Sequence, residues 1–426
     1  MHDLFKKNKM FRLLLIYQLF SSLGGGIFSI FMLLSVHLIY QNPIYTGIAG
    51  FLMAAPFIFA FAVGPIVDRR NKVTIMRLTT LLEFVVLTML VFIPFQERFG
   101  VIFMFGVIFI YSLAALFEAP SGTALLPQII SEDKIIEANS LIRIVTLVGG
   151  IAIAVILFAT LEDGSSYVFI YGLSASFLAI AFLVSLLLKD PGYEGEQLVD
   201  QATGSASKRK KEQSPGHSYL GDLKAGAKFI RKSVLLFTTI AIVAKRFVME
   251  IASINMPMFA EYHVGARGYV IFGVMAMLGG IAASYFVGVF GKRFKVGQLL
   301  LVVFALAGLI RIVFIHVLPV HYTGGLIVLV IYAAMGSASG IVFQSLEQKI
   351  PPKDMVGRVD TISTTFSAVF ITFGALVGGF LGSIVPVVDH IFIYQGISYV
   401  VIGAFIILVP GIRTLPKMEE IDKSES

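Results

Sequence analysis

The sequence predicts an all-α polytopic membrane protein with twelve transmembrane helices in two six-helix pseudo-repeats. Three observations carry that expectation. Of 426 residues, 57% are hydrophobic, about what twelve spans of roughly 20 residues each would use. Only 14% are charged, against roughly 25% in ordinary soluble domains, and the mean hydropathy is +0.89. Polar breaks, finally, cut the chain into twelve apolar stretches. A soluble globular domain and an intrinsically disordered chain are both excluded.

In chain order the spans are expected at 12–38, 44–66, 73–95, 101–125, 141–161, 166–188, 234–260, 268–290, 297–318, 323–345, 359–385 and 391–410. The first follows Lys6-Lys7-Asn8-Lys9 and is far longer than a signal-peptide core, so it reads as a retained membrane helix. Most breaks are short and carry turn residues, such as Gln41-Asn42-Pro43 and Glu162-Asp163-Gly164-Ser165. One break, 189–233, is long, and its run Lys208-Arg209-Lys210-Lys211 lies in a Gly/Ser/Gln-rich stretch that reads as a flexible linker. That run is expected to be solvated charge near anionic lipid. The expected division is an N-terminal bundle at 1–188, a linker at 189–233, a C-terminal bundle at 234–412 and a tail at 413–426.

Charge sets the orientation. Of 33 Lys and Arg, 28 fall in the alternate segments that share a side with the N-terminus, and only Arg98 and Arg267 fall in loops on the other side. That bias places both termini in the cytoplasm of a cell-membrane protein. It also accounts for the net charge of +7 without a nucleic-acid partner. The two halves repeat as well. A shift of 220 residues lays Leu126, Gln128 and Ile130 on Leu346, Gln348 and Ile350, and a shift of 224 lays the break Gly64 to Val73 on Gly288 to Gly297. Two like-oriented halves joined by a long connector is the parallel-repeat plan of one large transporter class. Before span 7, Leu220, Leu223, Ala227 and Ile230 recur at helical spacing among charged residues, so 219–232 reads as an amphipathic helix on the inner membrane surface, anchoring the second half.

Enzyme chemistry finds no footing. With no Cys there are no disulfides, thiolate metal sites or cysteine nucleophiles. No nucleotide-binding loop occurs, the His residues lack metal-ligand spacing, and no cofactor is called for. The stretches Gly24-Gly25-Gly26, Gly279-Gly280 and Gly378-Gly379 read as sites of close helix packing. The 38 Phe suit large apolar guests, though most are expected to face lipid.

Ionisable residues within spans each cost about 2.5–3.5 kcal/mol at a helix centre on insertion scales, which makes them functional candidates. Lys245 and Arg246 lie near the middle of span 7, and Glu250 follows Arg246 at i+4, where a pair can form. Lys245 has no acid nearby in sequence. Glu118 lies in span 4, Glu83 in span 3 and Arg311 in span 9. Structural pairing is expected of Glu83 and Arg311, with Glu83 also a third titration candidate beside Glu118 and Glu250.

Gly64-Pro65-Ile66-Val67-Asp68-Arg69-Arg70-Asn71-Lys72 resembles the loop between helices 2 and 3 of the major facilitator superfamily, with Asn71 where Gly is common and Val73 where a base is common. The second-half counterpart has Lys292 where Asp would be. The resemblance continues through Glu118-Ala119-Pro120, Ala124-Leu125-Leu126-Pro127, Glu137-Ala138-Asn139-Ser140-Leu141, Asp222-Leu223-Lys224-Ala225-Gly226, Ile350-Pro351-Pro352 and Gly357-Arg358-Val359. These look like the drug-efflux subgroup that includes macrolide and siderophore exporters and some lysolipid translocators. The Gly-Pro pair common in helix 5 of antiporters is missing at Gly149-Gly150.

The resemblance implies the major facilitator fold, with helices 1, 4, 7 and 10 lining a cavity. That makes Gln18, Glu118, Lys245, Arg246, Glu250, Asn255 and Gln344 candidate lining. It implies a cytoplasmic gate of Gly64, Asp68, Arg69 and Lys72 working with Arg358. The expected function is export of hydrophobic or amphipathic small molecules, such as drugs and antibiotics, by alternating access as a proton antiporter, with monomers embedded in the lipid bilayer. Other readings are a dedicated exporter or translocator of one metabolite (a siderophore or a lysolipid), an uptake permease, and a non-transporting sensor or scaffold.

Overall fold

The computed structural model describes residues 8–92, 98–131, 134–161, 167–191, 219–352, 355–418 and 420–421. Helices α1 (Lys9–Tyr40), α2 (Pro43–Ala54), α3 (Ala60–Asp68), α4 (Lys72–Val91), α5 (Arg98–Ile129), α6 (Ile135–Thr160) and α7 (Tyr167–Ser185) form the first half. The second half holds α8 (Tyr219–Lys232), α9 (Leu235–Ile254), α10 (Met256–Val264), α11 (Ala266–Phe290), α12 (Val296–Val317), α13 (Tyr322–Lys349), α14 (Val356–Ile384), α15 (Asp389–Leu408) and the short α16 (Pro410–Arg413). Among the described residues the only β pairing is an isolated bridge between Lys295 and Lys417. The all-α fold is therefore as expected.

Eleven helices in the described residues are long and apolar enough to cross a membrane, against twelve expected spans. The difference lies in span 7. It is interrupted at Asn255, leaving α9, which carries Lys245, Arg246 and Glu250, and the short α10. Pro257, near the start of α10, has no N–H to continue the helical ladder, so the backbone breaks just before it. Span 2 bends for a related reason, with a 3₁₀ turn at Ala55–Phe59 around Pro56 joining α2 to α3.

The chain divides into two compact units, one of 1–39 with 52–217 and one of 40–51 with 218–426. In the first, α1 and α7 cross at Gly24. A Cβ there would lie 2.7 Å from Leu178 Cγ and 2.9 Å from the Ser174 carbonyl, and the Ser174 hydroxyl donates to the Gly24 carbonyl at 2.7 Å. Only a glycine lets those backbones approach so closely. In the second, Gly308 of α12 meets α15 on the same terms, 2.4 Å from a Cβ position to the Gly396 carbonyl.

Polar clasps close the basic end of the first unit. Asn71, standing where glycine is common in the family loop, is the N-cap of α4, its Oδ1 accepting from the Thr74 N–H at 2.8 Å. Asp190 accepts from the Lys72 N–H at 2.8 Å, so a carboxylate sits at the positive end of α4. Arg77 does the converse at the end of α7, donating to the Ser185 carbonyl at 2.9 Å and the Leu188 carbonyl at 2.7 Å. Arg77→Ala strands the Leu188 carbonyl, while the Ser185 carbonyl keeps the Leu188 N–H at 3.1 Å. The expected cost is about 1–3 kcal/mol, read as a lower melting temperature, with Arg77→Lys restoring only part because lysine lacks the planar fork. An unchanged melting temperature would show that water satisfies the Leu188 carbonyl equally well.

The amphipathic helix docks on protein. In α8 the buried line is Gly226 and Ile230, while Ala227 is exposed and the side chains of Leu220 and Leu223 lie outside the described residues. Gly226 allows this: a Cβ there would meet Ile362 at 2.8 Å and Arg358 at 3.2 Å, both on α14.

Candidate functional site

Two polar clusters interrupt otherwise apolar helices, one in each unit. The first is acidic. Tyr17 and Ser21 stand at i and i+4 on α1 and so share a face. The Tyr17 hydroxyl donates to Glu118 Oε1 on α5 at 2.6 Å, and the Ser21 hydroxyl donates to the same oxygen. Since Tyr17 gives its proton to Glu118, the contact at 2.7 Å between Tyr17 and Thr80 on α4 has Thr80 as donor. Pro120, two residues after Glu118, lies inside α5 and denies it a ladder hydrogen bond, loosening the turn that carries the acid.

Glu83 lies one turn beyond Thr80 on α4, is 0% exposed, and has no hydrogen-bond partner at either carboxyl oxygen. Glu118 is within electrostatic reach of it. The ring of Tyr111, buried against Phe28 at a centroid distance of 4.1 Å, lies near both acids, and its hydroxyl abuts Gly25. Gln18 is half-buried, its side-chain oxygen 3.9 Å from the Cβ position of Gly122 on α5. Three helices, α1, α4 and α5, thus converge on two carboxyls, of which one is hydrogen-bonded and one is bare.

The second cluster is basic. Lys245 on α9 is 6% exposed, and its ammonium donates to the Gly336 carbonyl at 2.6 Å and to Ser339 Oγ at 2.7 Å, both on α13. An ammonium has three donors, so these bonds leave one over. No ion pair involves Lys245 among the described residues. Arg246 and Glu250, four residues apart, form none with each other. Arg246 is instead within electrostatic reach of Glu347 on α13, which also senses Asp360 on α14. Glu250 packs against α14, its Cβ lying 3.1 Å from the Cβ position of Gly374, and has Tyr269 of α11 as an electrostatic neighbour.

The other lining candidates lie apart from these clusters. Asn255 is buried at the break in span 7, where its side-chain amide donates to the Ile251 carbonyl at 2.8 Å and the Gly378 carbonyl at 2.9 Å, bridging α9 to α14. Gln344 is exposed on α13. Among the gate candidates, Gly64 and Arg69 are exposed, Lys72 is buried beside Asp190, and Arg358 is half-buried against α8. The side chains of Asp68 and Lys292 lie outside the described residues.

Among the described residues, Arg311 is paired without an acid. It is 1% exposed, its Nε donates to Gln395 Oε1 at 2.8 Å, and its guanidinium lies 4.6 Å from the ring centroids of both Tyr332 and Phe392. Aromatic faces supply the negative potential that a carboxylate otherwise would.

Sequence reasoning missed Tyr17, Ser21, Thr80, Tyr111, Ser339 and Glu347. A signal existed for some of them. Tyr17 with Ser21, and Thr80 with Glu83, are polar pairs at helical spacing inside apolar spans, and such stripes mark faces turned away from lipid. Tyr111 and Ser339 carry no such mark.

Known structures share this architecture. A crystal structure of a D-xylose-proton symporter is 12% identical, covers 96% of this chain and 98% of its own, and superposes with a TM-score of 0.70. The nucleoside transporter NupG is 14% identical over 94% of this chain and 98% of its own, with a TM-score of 0.70. A bacterial homologue of the iron transporter ferroportin is 12% identical over 94% and 98%, with a TM-score of 0.69. At such identities the likeness is one of fold. No curated protein matches the chain. The sequence profile described as Major Facilitator Superfamily matches residues 14–375. The chain belongs to the Major Facilitator Superfamily of membrane transporters.

Proposed function

We propose that this chain exports hydrophobic or amphipathic small molecules from the cell by alternating access, as a proton antiporter. The observation that carries the coupling is the pair Glu83 and Glu118. Glu83 is sealed from solvent with neither oxygen partnered. An ionised carboxylate in that setting would go wholly uncompensated, so Glu83 is held as the neutral acid. Glu118, with two hydroxyl donors on one oxygen, is the member equipped to carry the negative charge. Two carboxyls within electrostatic reach of each other do not both ionise cheaply, so the pair carries one proton at rest and exchanges it as Glu118 gains or loses access to water. Export rather than uptake is supported by the resemblance of the Glu118 and Glu137 segments to drug exporters. Glu250 remains a second candidate for coupling.

A second reading, export of one anionic metabolite, is favoured by Lys245. A buried ammonium held, among the described residues, by a carbonyl and a hydroxyl keeps a net positive charge that an anionic substrate would neutralise. Everted membrane vesicles test both readings and the rival ones. Dyes, antibiotics and anionic siderophores should accumulate inside the vesicles under an imposed pH gradient, and a protonophore should abolish this. Accumulation of the same compounds only in right-side-out vesicles would identify an uptake permease. No movement of any of them in either orientation would favour a sensor or scaffold.

A further inference from the structure

A cavity, unrelated to the two polar clusters, lies at the basic end of the second unit. It has a volume of about 720 Å³, within the range of small-molecule sites. Five stretches of chain wall it: α8, Ser233 and Val234 just before α9, Ile350 just after α13, Met355 just before α14, and the C-terminal segment after α16. That last segment is strapped down. The Val296 N–H donates to the Pro416 carbonyl at 3.1 Å, and the Lys349 ammonium donates to the Met418 carbonyl.

The wall is apolar at Phe229, Val234, Ile350 and Leu415, and cationic at Lys228 and Lys232. These two lysines are four residues apart on α8, so their ammonium groups serve one side of the cavity. Neither forms an ion pair among the described residues. The acid that also lines the cavity, Glu420, is engaged by its own turn, accepting from the Lys417 N–H at 3.2 Å. A chamber with an apolar wall and two uncommitted cations on one side matches a molecule with one anionic end and a hydrocarbon body.

We propose that this cavity binds an anionic phospholipid of the surrounding bilayer, with its phosphate on Lys228 and Lys232 and the start of an acyl chain against Phe229, Ile350 and Leu415. The membrane is the source because α13 and α14, long and apolar enough to cross it, present these ends where anionic headgroups lie. A bound lipid ties α8 to the C-terminal strap, and through α8 to α14.

The test uses the delipidated full chain titrated with phosphatidylglycerol or phosphatidylcholine and read by native mass spectrometry. One phosphatidylglycerol should bind in preference to phosphatidylcholine. The double variant Lys228→Gln/Lys232→Gln should weaken it about thirtyfold. Lys224→Gln/Arg231→Gln removes the same charge from the same helix outside the cavity and should leave binding intact. Equal losses in the two double variants would reduce the effect to general electrostatics and overturn the proposal. So would displacement of the lipid by glycerol phosphate or inorganic phosphate, since the site would then serve a soluble anion. Each of these outcomes is independent of what the protein transports.

Discussion

In membrane vesicles, Glu118→Gln should yield a folded protein that no longer drives transport with a pH gradient. Glutamine keeps an oxygen that can accept from Tyr17 and Ser21, so the change in stability is expected to stay within about 1 kcal/mol. What is lost is the charge change. A residue that cannot ionise cannot make one conformation of the transporter depend on a proton. Uphill accumulation should fall to the level of vesicles lacking the protein, while downhill exchange of substrate persists. The companion variant Glu83→Leu separates coupling from packing. It replaces a bare buried carboxyl with an apolar side chain, so the melting temperature should hold or rise while uphill transport fails. If Glu118→Gln accumulates substrate like the parent under a pH gradient, the acid pair is not the coupling site. Glu250→Gln would then be the next variant to measure.

Lys245→Met should separate stability from function in the opposite unit. The ammonium is buried and bonded to a carbonyl and a hydroxyl, with no acid among the described residues to offset its charge. A cation at a helix centre costs about 2.5–3.5 kcal/mol on insertion scales, and the two hydrogen bonds recover part of that. Methionine has a similar length and no charge, and Ser339 keeps its own bond to the Gly336 carbonyl at 2.8 Å. The variant should therefore melt higher than the parent. Transport of anionic substrates should drop by about tenfold or more, the worth of one charge-assisted contact, while cationic and neutral substrates are spared. Equal loss across all charge classes would assign Lys245 to holding α9 against α13 rather than to substrate.

Much of the candidate site was legible before any coordinates because the bilayer makes certain residues conspicuous. Glu83, Glu118, Lys245, Arg246 and Glu250 stand out in spans where few charges occur. Their partners were harder to read. Glu118 is held by Tyr17 and Ser21 from a helix a hundred residues away, and nothing local to Glu118 names them. Spacing suggested Arg246 with Glu250, yet helical proximity only permits such a pair. Glu347 on α13, remote in sequence, is the acid that Arg246 senses. The break at Asn255 follows the same pattern. Pro257 interrupts the helical ladder there, and the amide of Asn255 is held by the Gly378 carbonyl of α14, remote in sequence.

By itself the sequence determined the class of the molecule and eleven of the twelve spans it led one to expect. Each follows from composition and period, which local chemistry and the thickness of a bilayer dictate. Only the tertiary structure decided which charge meets which partner, that Glu83 meets none, and that α8 spends its glycine face on α14. Those outcomes depend on side chains converging from helices distant along the chain. A hydrogen bond is won or lost over less than an ångström, a scale that spacing along one helix does not reach.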